Sequence, residues 1–286
     1  MRWPGLAKNC SKGLMIALAL SACQSVDPVP DGSHRVVQAW TRNQPAPRLS
    51  EQYDKAFSPE VAYRIQHTAF AQYHQGRSPL GFKAGLTSVA AQQAYGTNQP
   101  LAGALPPDAL LKPEEDGYHQ TLQGYGQPMA EVEIGFRIGQ RIQYRLPDVN
   151  ALRPFVTEVM AAVELPDLAY QNAGKPISAG DLIASNAGAR RLILGPARAP
   201  SQIDVNNLAV TLYREGEVLT QGHGREVQGD QWQALLWLVN RAVASGWQIE
   251  PGQVLITGAI GKAVPLRAGL HVADFGQLGH IEWRAE

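Results

Sequence analysis

The run "MAEVEIGFRIG", Met129 to Gly139, sets two glutamates one residue apart inside an otherwise apolar segment. As a strand, it places Met129, Glu131 and Glu133 on one face, and Ala130, Val132, Ile134 and Phe136 on the other. Two readings are open at this point. The glutamates form the wet face of a half-buried strand, or they turn inward together to hold a cation.

Outward from this run the pattern mixes periods of two and 3.6. Ser58, Pro59 and Glu60 carry the signals of a helix start, and Val61, Ile65 and Ala69 recur on one face up to Gly76. His67 and His74 lie seven apart on this helix, without chelating spacing, and read as helix-surface residues. Short apolar runs at 80–86, 159–165, 190–195, 252–258, 270–275 and 279–285 read as strands, and 208–222 as a hairpin turning at Glu215-Gly216. Asp230 caps a helix with a Leu235, Leu238, Val239 and Ala242 stripe, stopped by Gly246. There is no fixed repeat and no strict strand–helix alternation. The expectation is an α+β fold with a large mixed, curved sheet, in one domain over 51–286.

The 286 residues hold 25 basic and 25 acidic side chains, so bulk charge argues against a nucleic-acid partner. Arg2, Lys8 and Lys12 precede the apolar run "GLMIALALSA", which has the length of a signal-peptide core and is too short to span a bilayer. It ends in "LSAC", Leu20 to Cys23. This resembles the lipobox of bacterial lipoprotein precursors, which implies removal of 1–22, lipidation of Cys23 and attachment to a bilayer. The alternatives are cleavage nearby with Cys23 incidental, or a retained apolar tail. Gln24, in place of Asp, implies the periplasmic face of the outer membrane of the cell envelope. Cys10 is the only other cysteine, so the body has no disulfide and no thiol chemistry. Residues 23–50, interrupted by Pro28, Pro30, Gly32, Pro45 and Pro47, read as a tether with one brief structured segment.

The segments "GFKAGLTS" (81–88), "AEVEIGF" (130–136), "AAVELPD" (161–167), "WLVNRAVASGWQIEPGQVLITGAIGKAVPL" (237–266) and "VADFGQLGHIEW" (272–283) are similar, in order and spacing, to the fumarylacetoacetate hydrolase superfamily. The nearest branch is that of the 2-keto-4-pentenoate hydratases and 4-oxalocrotonate decarboxylases. The resemblance implies a roll- or barrel-like curved sheet with flanking helices, a divalent metal (Mg²⁺ or Mn²⁺) and homo-oligomers. By residue match it implies Glu131, Glu133 and Glu164 as metal ligands, Lys83 as a catalytic residue, and Thr257 and Asn186 beside the substrate. Three hard oxygen donors suit a small hard cation, which a 2-oxo acid or related dicarbonyl can chelate. The implied enzyme is a metal-dependent lyase acting by hydration, decarboxylation or C–C cleavage. Three departures from the branch stand out: Leu101 where an acid is usual, Gly188 where a Ser is common, and Met129 where an Arg is common. They leave a second expectation open, a catalytically impaired lipoprotein that binds metal and oxo acid or serves as a scaffold.

Overall fold

The computed structural model describes Met1 and residues 27–286; the lipidation candidate Cys23 and nearly all of the expected leader lie outside the described residues. The tether expected over 23–50 is replaced from Asp27 onward by docked structure. The Val29 amide donates to the Asp27 carboxylate at 3.0 Å, Pro28 opens the first turn, and helix α1 (Pro28–Thr41) follows. Val29, Val36 and Ala39 are buried. Gly32 permits close approach to the next long helix, since a Cβ there would lie 2.6 Å from Ile65 Cδ1. A short helix α2 (Leu49–Tyr53) buries Leu49 and leads into α3 (Pro59–Tyr73), along which α1 packs. Ser58 caps α3 by accepting from the Val61 amide at 3.3 Å, as its sequence predicts.

Of the two histidines read as helix-surface residues, His67 in α3 is half-buried and His74, at the helix's C-cap, is buried. His67 packs against Trp247 with ring centroids 4.3 Å apart, and His74 is only 7% exposed. Trp247, distant in sequence, covers His67 in mid-helix, a contact that periodicity within one helix cannot show.

Next come β1 (Gly81–Gly85), α4 (Val89–Ala94), β2 (Leu101–Leu105), β3 (Tyr118–Gln120) and β4 (Met129–Ile138). The middle of the chain forms α5 (Val149–Leu152), β5 (Val156–Leu165), α6 (Ala179–Ala184) and β6 (Arg191–Arg198). The hairpin β7 (Ala209–Arg214) and β8 (Glu217–His223) turns at Glu215 and Gly216, whose φ values of 49° and 82° suit a two-residue loop. Helix α7 (Gln231–Ala244) starts at Asp230, which accepts from the Trp232 and Gln233 amides. The chain ends with β9 (Val254–Ile256), β10 (Val264–Pro265), β11 (Gly269–Asp274) and β12 (His280–Ala285).

The strands make two sheets. The larger has the order β2-β1-β9-β4-β5-β6, with β10 added to β4; β1 and β9 are parallel and its other pairs antiparallel. The smaller has the order β3-β12-β11-β7-β8. Among the described residues no pairing joins β2 to β6, so the mixed sheet is open and the barrel-like element of the expectation finds no closed barrel. One apolar core draws on α1, α3, α7 and both sheets, with Phe70, Phe82, Phe136, Phe275 and Trp283 among its largest members. Among the described residues no helix is long and apolar enough to cross a membrane.

Candidate metal and substrate site

Strand alternation sends Val132, Ile134 and Phe136 into the core and turns Glu131 and Glu133 to the opposite face. Antiparallel pairing of β4 with β5 sets Glu131 directly opposite Glu164 and Glu133 opposite Ala162. One carboxylate oxygen from each of Glu131, Glu133 and Glu164 lies within 4.8 Å of the others. Glu133 and Glu164 have no exposed surface, while Glu131 is half-buried. Like charges directly opposite across a strand pair repel, and two of these three are out of water. The wet-strand reading of the opening stretch is thereby excluded for Glu133.

Lys83 enters from β1. Strand β9 pairs with both β1 and β4 but stops at Ile256, opposite Lys83 on one side and Gly135 on the other. Beyond that end the Lys83 ammonium comes within 2.7 Å of Glu164 Oε2 and donates to the Ala187 carbonyl at 3.2 Å. That contact is a buried ion pair serving Glu164 Oε2, while Glu164 Oε1 has no hydrogen-bond partner. Glu133 Oε1 is likewise unpartnered, while Glu133 Oε2 accepts the Gly258 amide at 2.6 Å. Burial pushes the Glu133 carboxyl well above the ordinary carboxylate range, and the neighbouring carboxylates push it further. Burial also raises Glu164, against the pull of the Lys83 ammonium. Burial alone would depress Lys83, but the three carboxylates hold it above its usual value.

These orphaned oxygens decide whether the residues fit a cation. Each buried acceptor without a donor costs about 1–3 kcal/mol, and Glu133 Oε1 and Glu164 Oε1 are two such acceptors within one carboxylate cluster. Three carboxylates and one ammonium sum to −2, and a divalent cation balances that charge. All-oxygen donors with room for further ligands suit a hard ion such as Mg²⁺, Mn²⁺ or Ca²⁺. The donor set fits.

A cavity of about 290 Å³ opens above the carboxylates. Lys83, Glu131 and Ala187 form its floor side, Leu86, Leu101, Leu168 and Leu182 give it apolar walls, and Lys262 and Tyr95 also line it. Lys262 makes no ion pair among the described residues. Neither Lys262 nor the Ala187 carbonyl was evident from sequence. Lys262 follows a glycine-rich turn with no spacing signal, and a backbone carbonyl leaves none.

The two residues matched to the substrate's surroundings, Thr257 and Asn186, adjoin the site but do not line this cavity. Thr257 is fully buried, and its hydroxyl is committed to the Ile134 carbonyl and to Gln231. It supports the turn whose next residue, Gly258, holds Glu133. Asn186 clamps β2, donating to the Ala104 carbonyl and accepting the Ala104 amide, both at 2.7 Å. Its side chain is therefore spent on the backbone, and it lines a different cavity. The three departures are equally concrete. Leu101 is 2% exposed and walls the site. Met129 pairs with Pro265 of β10 at the strand's start.

Gly188 follows Asn186 and Ala187, and all three have positive φ, 60°, 51° and 65°. A Cβ on Gly188 would lie 2.5 Å from the Asp167 carbonyl oxygen. A serine at this place thus requires a different path of this turn. Gly188→Ser is expected to lower unfolding free energy by about 2 kcal/mol or more, from left-handed strain and overpacking together. Urea unfolding with an unchanged midpoint would contradict the expectation.

Residues 78–285 match the family described as fumarylacetoacetate (FAA) hydrolase, C-terminal. A 2-keto-4-pentenoate hydratase of Burkholderia vietnamiensis is 31% identical over 224 residues, covering 77% of this chain and 84% of the relative. A 4-oxalocrotonate decarboxylase of a Pseudomonas species is 28% identical over 253 residues, 88% of this chain and 95% of the relative. Among solved structures, 4-oxalocrotonate decarboxylase from Pseudomonas putida G7, complexed with magnesium and adipate, superposes with a TM-score of 0.82 at 22% identity. That match covers 91% of this chain and 98% of the other, and it carries the fold. With its mixed sheet, its carboxylate triad and a family match over most of its length, the chain belongs to the fumarylacetoacetate hydrolase family.

Proposed function

We propose that this protein is a metal-dependent lyase of the 2-keto-4-pentenoate hydratase type, acting on a small 2-oxo acid. The observation that carries the reading is the convergence of Glu131, Glu133 and Glu164 beneath a cavity whose floor also presents Lys83. The relatives named hydratase and decarboxylase support the reaction class. A bound divalent cation would supply Lewis-acid polarisation of the substrate's keto oxygen and charge neutralisation of its enolate. Glu131, Glu133 and Glu164 would hold it, with Glu133 oriented by the Gly258 amide. Lys83, anchored by Glu164 and the Ala187 carbonyl, presents a proton donor to the substrate side of the site. The leucine walls exclude water and favour the apolar part of the substrate. Lys262 stands where a second charge on the substrate could be met.

Leu101 favours a second reading. An apolar side chain where the branch usually has an acid leaves the proton traffic to Lys83, so a protein that binds the oxo acid with little turnover fits the same geometry. In either case the "LSAC" sequence at Leu20–Cys23 supports lipid attachment in a bacterial envelope, most consistent with the outer membrane's periplasmic face. Homo-oligomer formation is part of the proposal by family resemblance.

The test is calorimetric titration with oxalate, a chelating mimic of a 2-oxo acid carboxylate. Saturable binding is expected with Mg²⁺ or Mn²⁺ present and none after chelation. Equal binding with and without the cation would exclude the proposed site. Membrane fractionation tests the anchor: wild-type protein is expected with membranes, and Cys23→Ser is expected to block lipidation. Unmodified mature protein free in solution would exclude the anchor.

A further inference from the structure

A second cavity, of about 440 Å³, lies on the other side of the Asn186–Gly188 turn from the carboxylate triad. It is bounded by the end of α1, the end of α3 and the segment 185–191. The reaction proposed above makes no use of it.

Its lining is chemically specific. Arg77, Arg190 and Arg191 face it against Asp108 and Asp167, a sum of +1. Asp167 is already satisfied: its oxygens accept the Gly126 amide at 3.0 Å, the Gln127 amide at 2.7 Å and Arg190 Nη1 at 2.9 Å. Arg190 is held by that contact, by the Gly124 carbonyl and by Tyr125, over whose ring it stacks at 3.8 Å. Arg191 spends only Nη1, on the Asp108 carbonyl. Arg77 makes no side-chain hydrogen bond or ion pair among the described residues. Asp108 is the one carboxylate there without a partner of its own among the described residues. The free donors therefore exceed the free acceptors.

His74 is the built part of the site. It is 93% buried, its ring lines the cavity, and neither ring nitrogen has a hydrogen-bond partner among the described residues. Burial depresses its pKa below the usual histidine value, so at neutral pH it offers one N–H and one lone pair. It packs edge-on to Tyr73 at 4.9 Å, and Tyr73 in turn meets Trp40 at 5.3 Å. Trp40 and Tyr73, their rings inclined at 67°, supply an aromatic apolar wall beside the guanidinium groups.

We propose that this cavity is a second ligand site, for one small carboxylate with a flat apolar body. The carboxylate meets Arg77 and Arg191, the His74 imidazole donates a further hydrogen bond, and Trp40 with Tyr73 packs the body. The volume suits one small molecule. The assignment does not depend on the metal-dependent reading, because no residue of the triad lines this cavity.

The probe is benzoate, titrated into the full chain by calorimetry with EDTA present, so that chelation at the triad contributes nothing. Binding of one benzoate per chain is expected. Arg77→Gln, on an exposed position that does not endanger folding, and Arg191→Gln are each expected to weaken it by about tenfold or more, the scale of one charged hydrogen bond. His74→Leu is expected to weaken it as well, with unchanged circular dichroism. Glu131→Ala is expected to leave it intact, which separates this site from the triad. Absence of saturable binding up to about 20 mM benzoate, beyond the millimolar range of weak ligands, would overturn the proposal. So would loss of binding in Glu131→Ala alone, or equal affinity for inorganic phosphate, which lacks the flat body.

Discussion

Glu133→Gln is expected to abolish the stabilisation that Mg²⁺ or Mn²⁺ confers, while leaving the metal-free protein as stable as wild type or more so. The physical reason is that Glu133 is fully buried and one of its oxygens has no donor, so the metal-free fold carries an uncompensated group. The amide removes the repulsion with Glu131 and Glu164 and leaves Lys83 its partner. At a metal concentration about 100 times Kd, wild-type protein gains about 2.7 kcal/mol. For a chain of this size that is a rise in Tm of roughly 5–10 °C. Affinity in the variant should fall by about 100-fold or more, since even groups that merely orient ligands account for 10–100-fold. Thermal unfolding with and without cation reads both effects. A variant that keeps the full metal-dependent rise would show that Glu133 is not a ligand.

Lys83→Met is expected to lower turnover of 2-hydroxypenta-2,4-dienoate by about 10²–10⁴-fold, the usual contribution of a placed acid–base group. Wild-type turnover is itself expected to be slow, because Leu101 supplies no proton at the pocket wall. Leu101→Asp is expected to raise it, provided the new carboxylate reaches the substrate from the Leu101 backbone. Two readouts separate chemistry from binding: kcat should fall in Lys83→Met, while oxalate binding with Mg²⁺ persists. Efficient hydration by the wild-type chain would show that another group has taken over the missing acid's work. An unchanged kcat in Lys83→Met would remove the lysine from the mechanism.

Local rules made much of this architecture readable. Ser58 and Asp230 announce their helices, Glu215-Gly216 its hairpin, and the alternation at 129–138 its strand, because each signal is complete within a few residues. Helix α1 was hidden by its own start. Pro28, Pro30 and Gly32 read as breakers, yet Pro is tolerated in a first turn and Gly32 is there for contact with Ile65. The metal candidates were legible differently. Alternation joined Glu131 to Glu133, but only strand pairing brings Glu164 opposite Glu131, and no local pattern encodes a register between positions 33 residues apart. Asn186 and Thr257 show the limit of matching by position. Each is near the site in sequence terms, while the Asn186 side chain is consumed by the β2 backbone and the Thr257 hydroxyl by the Ile134 carbonyl and Gln231.

The early start of α1 also bears on how a lipid on Cys23 would hold the body. A flexible tether over 23–50 would let it wander about 30 Å from the bilayer, by random-coil scaling for 28 residues. With packed structure beginning at Pro28, only Gln24 to Asp27 intervene, a maximum reach of about 14 Å. A lipid on Cys23 would then act as a short hinge pin rather than a leash. The body would ride close against the headgroups, with the start of α1 nearest to them.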